Sequence, residues 1–272
     1  MLMDYIQLMN HLNNSLEILF SHILDVIPEL DSQPALAVHE LRKQTKFMRA
    51  LLLLNQAAPT PPKQLLKSLS ALLAPYRDAQ VNIDTYKFLT ENAPTLQDSD
   101  FENWLSKSPY YLDSTPIPAL RNNIETLLTE LVPVMGKLPD PPVATSILDS
   151  IDTSFELASK SMIQVRIDSN MEDLHTWRKK TKRLWYQLRF LFGDNVEDLN
   201  HPLNLSDQLG QLLGDIHDSD VFDLLLTIDS TTGLREVIRK RRLVLLQEAF
   251  QTGEKLYLKG RPYFNQLLQE AL

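Results

Sequence analysis

The sequence predicts an all-α protein. It contains only seven glycines in 272 residues, and it shows little of the alternating β-branched pattern that is typical of strands. Leucine-rich segments in which apolar residues recur with a period of 3.6 fill most of the chain instead. These observations together favour helices that pack against one another through apolar faces.

Prolines mark the breaks between the predicted helices, because proline lacks the backbone N–H that a helix interior needs. One of these breaks, the segment PVMGKLPDPPV that begins at Pro133, lies near the middle of the chain. Each side of it offers about four helices, which is enough for a bundle. The periodicity predicts helices over 3–26, 35–57, 63–91, 117–132, 143–167, 170–192, 205–228, 232–256 and 261–271, with a short one near 99–106.

The second predicted helix contains the segment VHELRKQTKFMRALLLL, Val38 to Leu54, which has both an apolar and a positive face. At 100° per residue, one stripe is apolar apart from a threonine, and the neighbouring stripe is basic. The first stripe holds Val38, Leu41, Thr45, Met48 and Leu52. The second holds His39, Arg42, Lys46 and Arg49. A charged stripe of this kind is usually a solvated surface, so further evidence is needed to assign it a role.

That evidence is a second copy of the pattern, 136 residues later, in the segment LHTWRKKTKRLWYQLRFLF that starts at Leu174. Packing explains recurring leucines, but it does not explain recurring polar residues. The matching pairs are His39/His175, Arg42/Arg178, Lys43/Lys179, Thr45/Thr181 and Lys46/Lys182. The polar pattern therefore indicates a shared function.

A second pair of segments supports an internal duplication. LSALLAPYRDAQV from Leu69 aligns with LGQLLGDIHDSDV from Leu209, and Arg77 lies opposite His217. Two blocks in the same order, at nearly the same offset, predict two related halves, residues 1–136 and 137–272, each a helical bundle. We expect the two bundles to be pseudo-symmetric and to pack around a basic central cavity.

The composition limits the classes of protein that the chain can represent. With 43% hydrophobic residues it can bury a core, and without cysteine it can form neither disulfides nor thiolate metal sites. The first twenty residues are predicted to form a helix rather than a signal peptide, and no apolar run reaches membrane-spanning length. We therefore expect a cytoplasmic protein with no membrane partner.

The distribution of charge points to an anionic ligand, although the formal net charge is −8. Three short helical stretches, 42–49, 178–189 and 235–242, hold 15 of the 27 lysines and arginines. Duplicated helices tend to pack about a two-fold axis, which would bring both basic faces to a shared groove. Cations held close together repel one another unless an anion offsets the charge. Arginine and lysine side chains suit phosphate oxygens, so the ligand should carry several negative charges.

The helix His-x-x-Arg-x-x-x-Lys, present twice and followed by a segment like LGQLLGDIHDSDVF, resembles the conserved histidine α-helical (CHAD) domain over essentially the whole chain. The resemblance implies two four-helix bundles whose basic helices line a positive cavity or channel. It also implies binding of inorganic polyphosphate and, for some members, association with polyphosphate granules. Many members carry a fused triphosphate-tunnel enzyme with a Glu-x-Glu-x-Lys signature. That signature is absent here, so a stand-alone binding module without enzymatic activity, cofactor or metal is expected.

The family motif matches His39, Arg42, Lys46 and Arg49 in the first copy, and His175, Arg178, Lys182 and Arg183 in the second. Phe47 and Trp185 occupy positions where the family often has a cation. The complete set of expected polyphosphate-binding residues also includes Lys43, Lys179, Arg77, His217, Arg235, Arg239 and Arg242.

Two alternatives remain open at this stage. His217 and Asp218 form the His-Asp pair of metal-dependent phosphohydrolases, for which His175, His201 and Asp229 could supply further ligands. However, the aligned position in the first half is Arg77, which cannot bind a metal. The segment REVIRKRRLVLL from Arg235 could instead track nucleic acid, with Trp177, Trp185 and Tyr186 as stacking residues. At helical spacing beside leucines, these three aromatic residues are predicted to belong to the core.

Overall fold

The computed structural model describes residues 5–112, 117–139, 144–194, 196–226 and 232–271. Within these ranges every regular element is helical, which confirms the all-α class. The α-helices are α1 (Tyr5–Val26), α2 (Pro34–Leu52), α3 (Thr60–Leu72), α4 (Ala74–Asn92), α5 (Ser99–Ser106), α6 (Ile117–Met135), α7 (Ala144–Ile167), α8 (Met171–Phe192), α9 (Pro202–Asp223), α10 (Thr232–Tyr257) and α11 (Gly260–Glu270). Two short 3₁₀ helices cover Ile27–Asp31 and Pro94–Leu96. None of the described helices combines the length and the apolar character that a membrane span requires.

Several of the predicted helices have different bounds in the structure; for example, the helix expected over 205–228 is Pro202–Asp223, and the one expected over 117–132 extends to Met135. The helix expected over 63–91 is two helices that meet at Leu73, because Pro75 has no N–H to continue the hydrogen-bond ladder. The helix expected over 35–57 ends at Leu52. Beyond it, the buried Asn55 side chain accepts a bond from the Ala57 N–H and donates to the Pro139 carbonyl at 2.7 Å. Such local side-chain bonding replaces the helical ladder.

The central helices are α2 and α8, which pack directly against each other. Helix α2 also packs against α1, α3 and α4, and α8 packs against α7 and α9. The apolar stripe predicted on α2 is confirmed, because all five of its residues are buried. On α8, Trp177 is completely buried and Tyr186 is buried, while Trp185 packs against the edge of the core. These three aromatic residues therefore belong to the core, as predicted.

One large apolar core contains residues from both predicted halves, including Leu12, Leu51, Leu184 and Phe264. A smaller cluster centred on Tyr86 and Phe222 joins α4 and α5 to α9 and α10. Residues of α2 and α8 belong to the same large core. The division at residue 136 and the pseudo-symmetry of the two halves stay predictions.

Candidate functional site

Helices α2 and α8 contact each other near corresponding positions of the repeated motif. The amide of Gln187 donates to the carbonyl of Ala50 at 3.1 Å, and the rings of Phe47 and Tyr186 stack with centroids 5.0 Å apart. Each contact joins residues 137 or 139 positions apart, close to the offset of the repeated motif. The packing therefore places the two basic stripes next to each other.

The basic stripes meet around Lys46. Arg42 approaches it along α2, Arg178 and Lys182 approach it from α8, and Arg77 approaches it from α4. Burial, followed by the repulsion of these four cations, lowers the pKa of Lys46 to about 7. Among the described residues, no carboxylate forms an ion pair with Lys46. We refer to these five residues, Arg42, Lys46, Arg77, Arg178 and Lys182, as the cationic cluster.

Carboxylates compensate part of the charge of the cationic cluster, and Asp78 and Asp218 lie near Arg42. Lys182 Nζ lies 3.3 Å from a carboxylate oxygen of Asp207, and Arg77 lies 3.8 Å from Asp84. Asp218 lies near Arg178 and Arg77, yet burial raises the pKa of its carboxyl group above the ordinary value. The cluster thus keeps an excess of positive charge.

Two arginines of the cluster have unused hydrogen-bonding capacity. Arg42 donates to the carbonyl of Ser70 at 3.3 Å, but its buried Nε has no acceptor in the described part of the chain. The buried Nε of Arg178 likewise lacks one there. Guanidinium groups with free donors are suited to bind phosphate oxygens.

The imidazoles of His175 and His217 stack beside the cluster. Their ring centroids are 4.5 Å apart, and the buried Nδ1 of His175 has no described hydrogen-bond partner. Burial, together with Arg178 and His175, lowers the pKa of His217 to about 4. Burial also lowers the pKa of His175. His39 is exposed on α2, and both His39 and His175 lie near Lys46.

Helix α9 approaches the basic face of α8 through glycines that the sequence analysis did not select. A Cβ atom at Gly210 would lie 2.8 Å from Lys182 Cδ, and one at Gly214 would lie 3.5 Å from Arg178 Nε. In the aligned segment of the first half, the same positions hold Ser70 and Ala74. The signal in the sequence was this recurrence of small residues, which lets long cationic side chains lie along the adjacent helix.

The other predicted residues of α2 and α8 lie at the margin of the cluster. Lys43 pairs with Glu40 at 3.2 Å, and Arg49 donates to the hydroxyl of Ser70 at 3.3 Å. Lys179 is exposed, and Arg183 is partly buried. These four cations extend the positive surface of the two helices.

The three predicted arginines of α10 are each paired with a carboxylate. Arg235 lies 3.7 Å from Asp223, Arg239 lies 2.7 Å from Glu236, and Arg242 Nε lies 2.9 Å from Asp220. Arg235 and Arg242 pair with acids of α9 and so connect α10 to that helix, whereas the Arg239–Glu236 pair lies within α10. Each of these arginines therefore has a carboxylate partner, in contrast to Lys46.

The residues around the His-Asp pair do not assemble into a metal site where the structure describes them. No group of three or more potential ligands among histidines and carboxylates occurs in those ranges. His217 stacks on His175, whereas Asp218 lies near Arg77 and Arg178. The proposed distal ligand Asp229 lies outside the described residues.

A cavity of about 310 Å³ opens beside the cluster, between α4, α9 and α10. Its lining includes Arg77 and Arg241 but also Asp84, Asp215 and Asp218, so its charge is mixed. The basic central cavity expected from the sequence stays a prediction.

Comparison with known proteins identifies the family. A family model described as the CHAD domain matches residues 14–227, from within α1 to just beyond α9. The matched region contains the cationic cluster and ends before α10 begins. No curated protein and no solved structure matched the chain. The chain belongs to the CHAD domain family.

Proposed function

We propose that this protein binds inorganic polyphosphate along the surface between α2 and α8. The observation that carries the proposal is the position of Lys46 among four other cations, without a carboxylate partner in the described structure. Such an arrangement costs folding free energy, since like charges repel more strongly where water is excluded. An anion bound between the two helices would remove that cost. The membership of the CHAD family supports the same ligand.

The chemistry of the cluster suits a linear polyanion. Each guanidinium group can donate two parallel hydrogen bonds to a phosphate, and each lysine adds a compact charge. A polyphosphate chain holds condensed counterions, and fixed cations that replace them release these ions into solution, as described for DNA. Affinity for polyphosphate should therefore fall steeply as the salt concentration rises.

We propose binding without catalysis. The groups gathered at the cluster are mainly lysine and arginine side chains, which are suited to hold an anion in place. A location on polyphosphate granules in the cytoplasm would follow from such binding. An assay for phosphate release by the purified protein, with and without divalent metal, tests whether binding occurs without catalysis. Co-localisation with stained granules tests the proposed location.

Charge reversal at the cluster tests the proposed site. The variant R42E/K46E/R178E/K182E is expected to lose polyphosphate binding and to keep its helical circular dichroism. A matched control, K87E/K107E/K160E/K255E, changes the net charge equally at four exposed positions. The control is expected to retain most of the affinity. Equal loss in both variants would show that only net charge matters, and unchanged binding in the first would refute the site.

Competition among polyanions tests the proposed ligand. Long-chain polyphosphate, single-stranded RNA and duplex DNA are offered to the same protein at several salt concentrations. Polyphosphate should displace both nucleic acids. A preference for RNA or DNA at every salt concentration would instead favour a nucleic-acid-binding protein.

A further inference from the structure

This inference rests on the proposed function. We propose that Lys46 and the His175–His217 pair take up protons when a polyanion binds, so that the affinity for the polyanion rises as the pH falls through neutrality. The site would then respond to pH as well as to charge. Its basis is the geometry of three titratable groups that share one partly buried space.

Lys46 has charged neighbours from every helix that closes the space around it. They are Arg42 on α2, Arg77 on α4, Arg178 and Lys182 on α8, and the two imidazoles His175 on α8 and His217 on α9. His39 on α2 is a further neighbour. Two carboxylates, Asp78 on α4 and Asp218 on α9, lie near Arg42, but the cations and the groups that become cations outnumber them. Adding a proton to Lys46 in the free protein is therefore opposed first by burial and then by the neighbouring cations, and its pKa is about 7.

The histidine pair faces the same field. Lys46 from α2 and Arg178 and Lys179 from α8 all disfavour the charged imidazole of His175 and of His217. The rings themselves stack at 4.5 Å, so charging one opposes charging the other. Several acidic residues of the neighbouring helices are paired elsewhere: Asp215 with Arg241, Asp220 with Arg242, and Asp152 and Glu156 with Arg261. Asp218, which follows His217 on α9, lies instead near Arg178 and Arg77, and burial raises the pKa of its carboxyl group.

A bound polyphosphate reverses this field. Negative charge next to the three groups favours their protonated forms, and the buried Nδ1 of His175, which has no described partner, can then donate to a phosphate oxygen. The protons must come from solution. By linkage, an equilibrium that takes up one proton weakens by up to tenfold for each unit of rising pH.

The test measures the affinity for long-chain polyphosphate at constant ionic strength. Long chains are used because their titrating end groups are rare, and a sulfated polymer, whose groups stay ionised, serves as a second probe. For one linked group with a pKa near 7, the dissociation constant should rise about tenfold between about pH 6 and about pH 8. Calorimetry in two buffers with different ionisation enthalpies should show net proton uptake with both polymers.

Variants assign the protons to these residues. K46R keeps a fixed positive charge and should reduce the change in dissociation constant over this pH range to less than about threefold. In the triple variant K46R/H175N/H217N, the dissociation constant should not depend on pH. The matched control K160R, at an exposed lysine on α7, should behave as the wild type. A wild-type pH profile in the triple variant, or tight binding without pH dependence in the wild type, would overturn the inference. Absence of binding at every pH would overturn the proposed function itself.

Discussion

The ring of Phe47 on α2 stacks on the ring of Tyr186 on α8, with centroids 5.0 Å apart and planes inclined by 23°. The guanidinium group of Arg189 lies over the same Phe47 ring at 5.3 Å, and it is held there by an ion pair with Asp194. Phe47 follows Lys46 directly in the chain. The stack therefore fixes the two basic helices together beside the cationic cluster, at a position where the family often has another cation.

Replacing Phe47 by alanine should loosen this junction. F47A is expected to lower the free energy of unfolding by about 2 kcal/mol, because the ring is partly buried and stacked. Polyphosphate affinity should fall by several-fold as the register of the two helices relaxes. Urea denaturation and a binding titration measure the two effects. F88A is the control, since Phe88 is 45% exposed, and an equal loss of stability in both variants would contradict the proposed role of the stack.

A second prediction concerns the contact of α10 with α7 and α8 at Gly253. A Cβ atom there would lie 2.6 Å from Met162 Sδ and 3.0 Å from Cζ2 of the buried Trp177. G253A should therefore lower the unfolding free energy by about 1–3 kcal/mol through overpacking. Thermal denaturation measures this change, with G136A as the control because a Cβ at Gly136 would approach only one atom, at 3.8 Å. If G253A were as stable as the wild type, the close packing of α7, α8 and α10 would be wrong.

A third prediction separates binding arginines from structural ones. R178Q removes a charge from the cluster, so the slope of log affinity against log salt should become shallower by about one. R242Q leaves the partly buried Asp220 without its partner, and it should lower stability by about 1–3 kcal/mol with no change in that slope. Titrations at four salt concentrations compare the two variants. Equal slopes for R178Q and R242Q, both shallower than the wild type, would place α10 in the binding site.

Local patterns in the sequence predicted much of α2 and α8. The periodicity that placed Val38 and Leu41 in the core also placed Arg42 and Lys46 on the adjoining face, because both follow from one helical repeat. The internal duplication added the expectation that Arg178 and Lys182 lie beside them. These predictions succeeded because they depend on spacing within a helix and on its repetition.

Features that depend on contacts between helices far apart in the sequence could not be predicted from these local patterns. The arginines of α10 form as dense a basic stretch as those of α2, yet Asp220 and Asp223 on α9 neutralise two of them. The position of Arg77 near Lys46 likewise depends on how α4 packs against α2. Composition alone does not distinguish a paired cation from an unpaired one, since the distinction lies in the partner.

The pH dependence of stability in the free protein provides a fourth prediction. The pKa of Lys46 is about 7 in the folded state, below its ordinary value of 10.5. The unfolded chain therefore binds more protons than the folded chain between these values, and the free energy of unfolding should rise with pH across this window. Burial lowers the pKa of Lys182 as well, which acts in the same direction.

The useful range for this measurement ends where tyrosines begin to titrate. Burial raises the pKa of Tyr186 and of Tyr257 from 10.0 to about 12, so stability should fall again once unfolded tyrosines ionise. Urea denaturation between about pH 7 and about pH 9.5 should therefore show rising stability in the wild type and a shallower rise in K46M. Saturating polyphosphate should shift the wild-type midpoint most at the low end of this range, where Lys46 is charged. A wild-type stability that falls steadily over the range would show that Lys46 is not held among the four cations in the free protein.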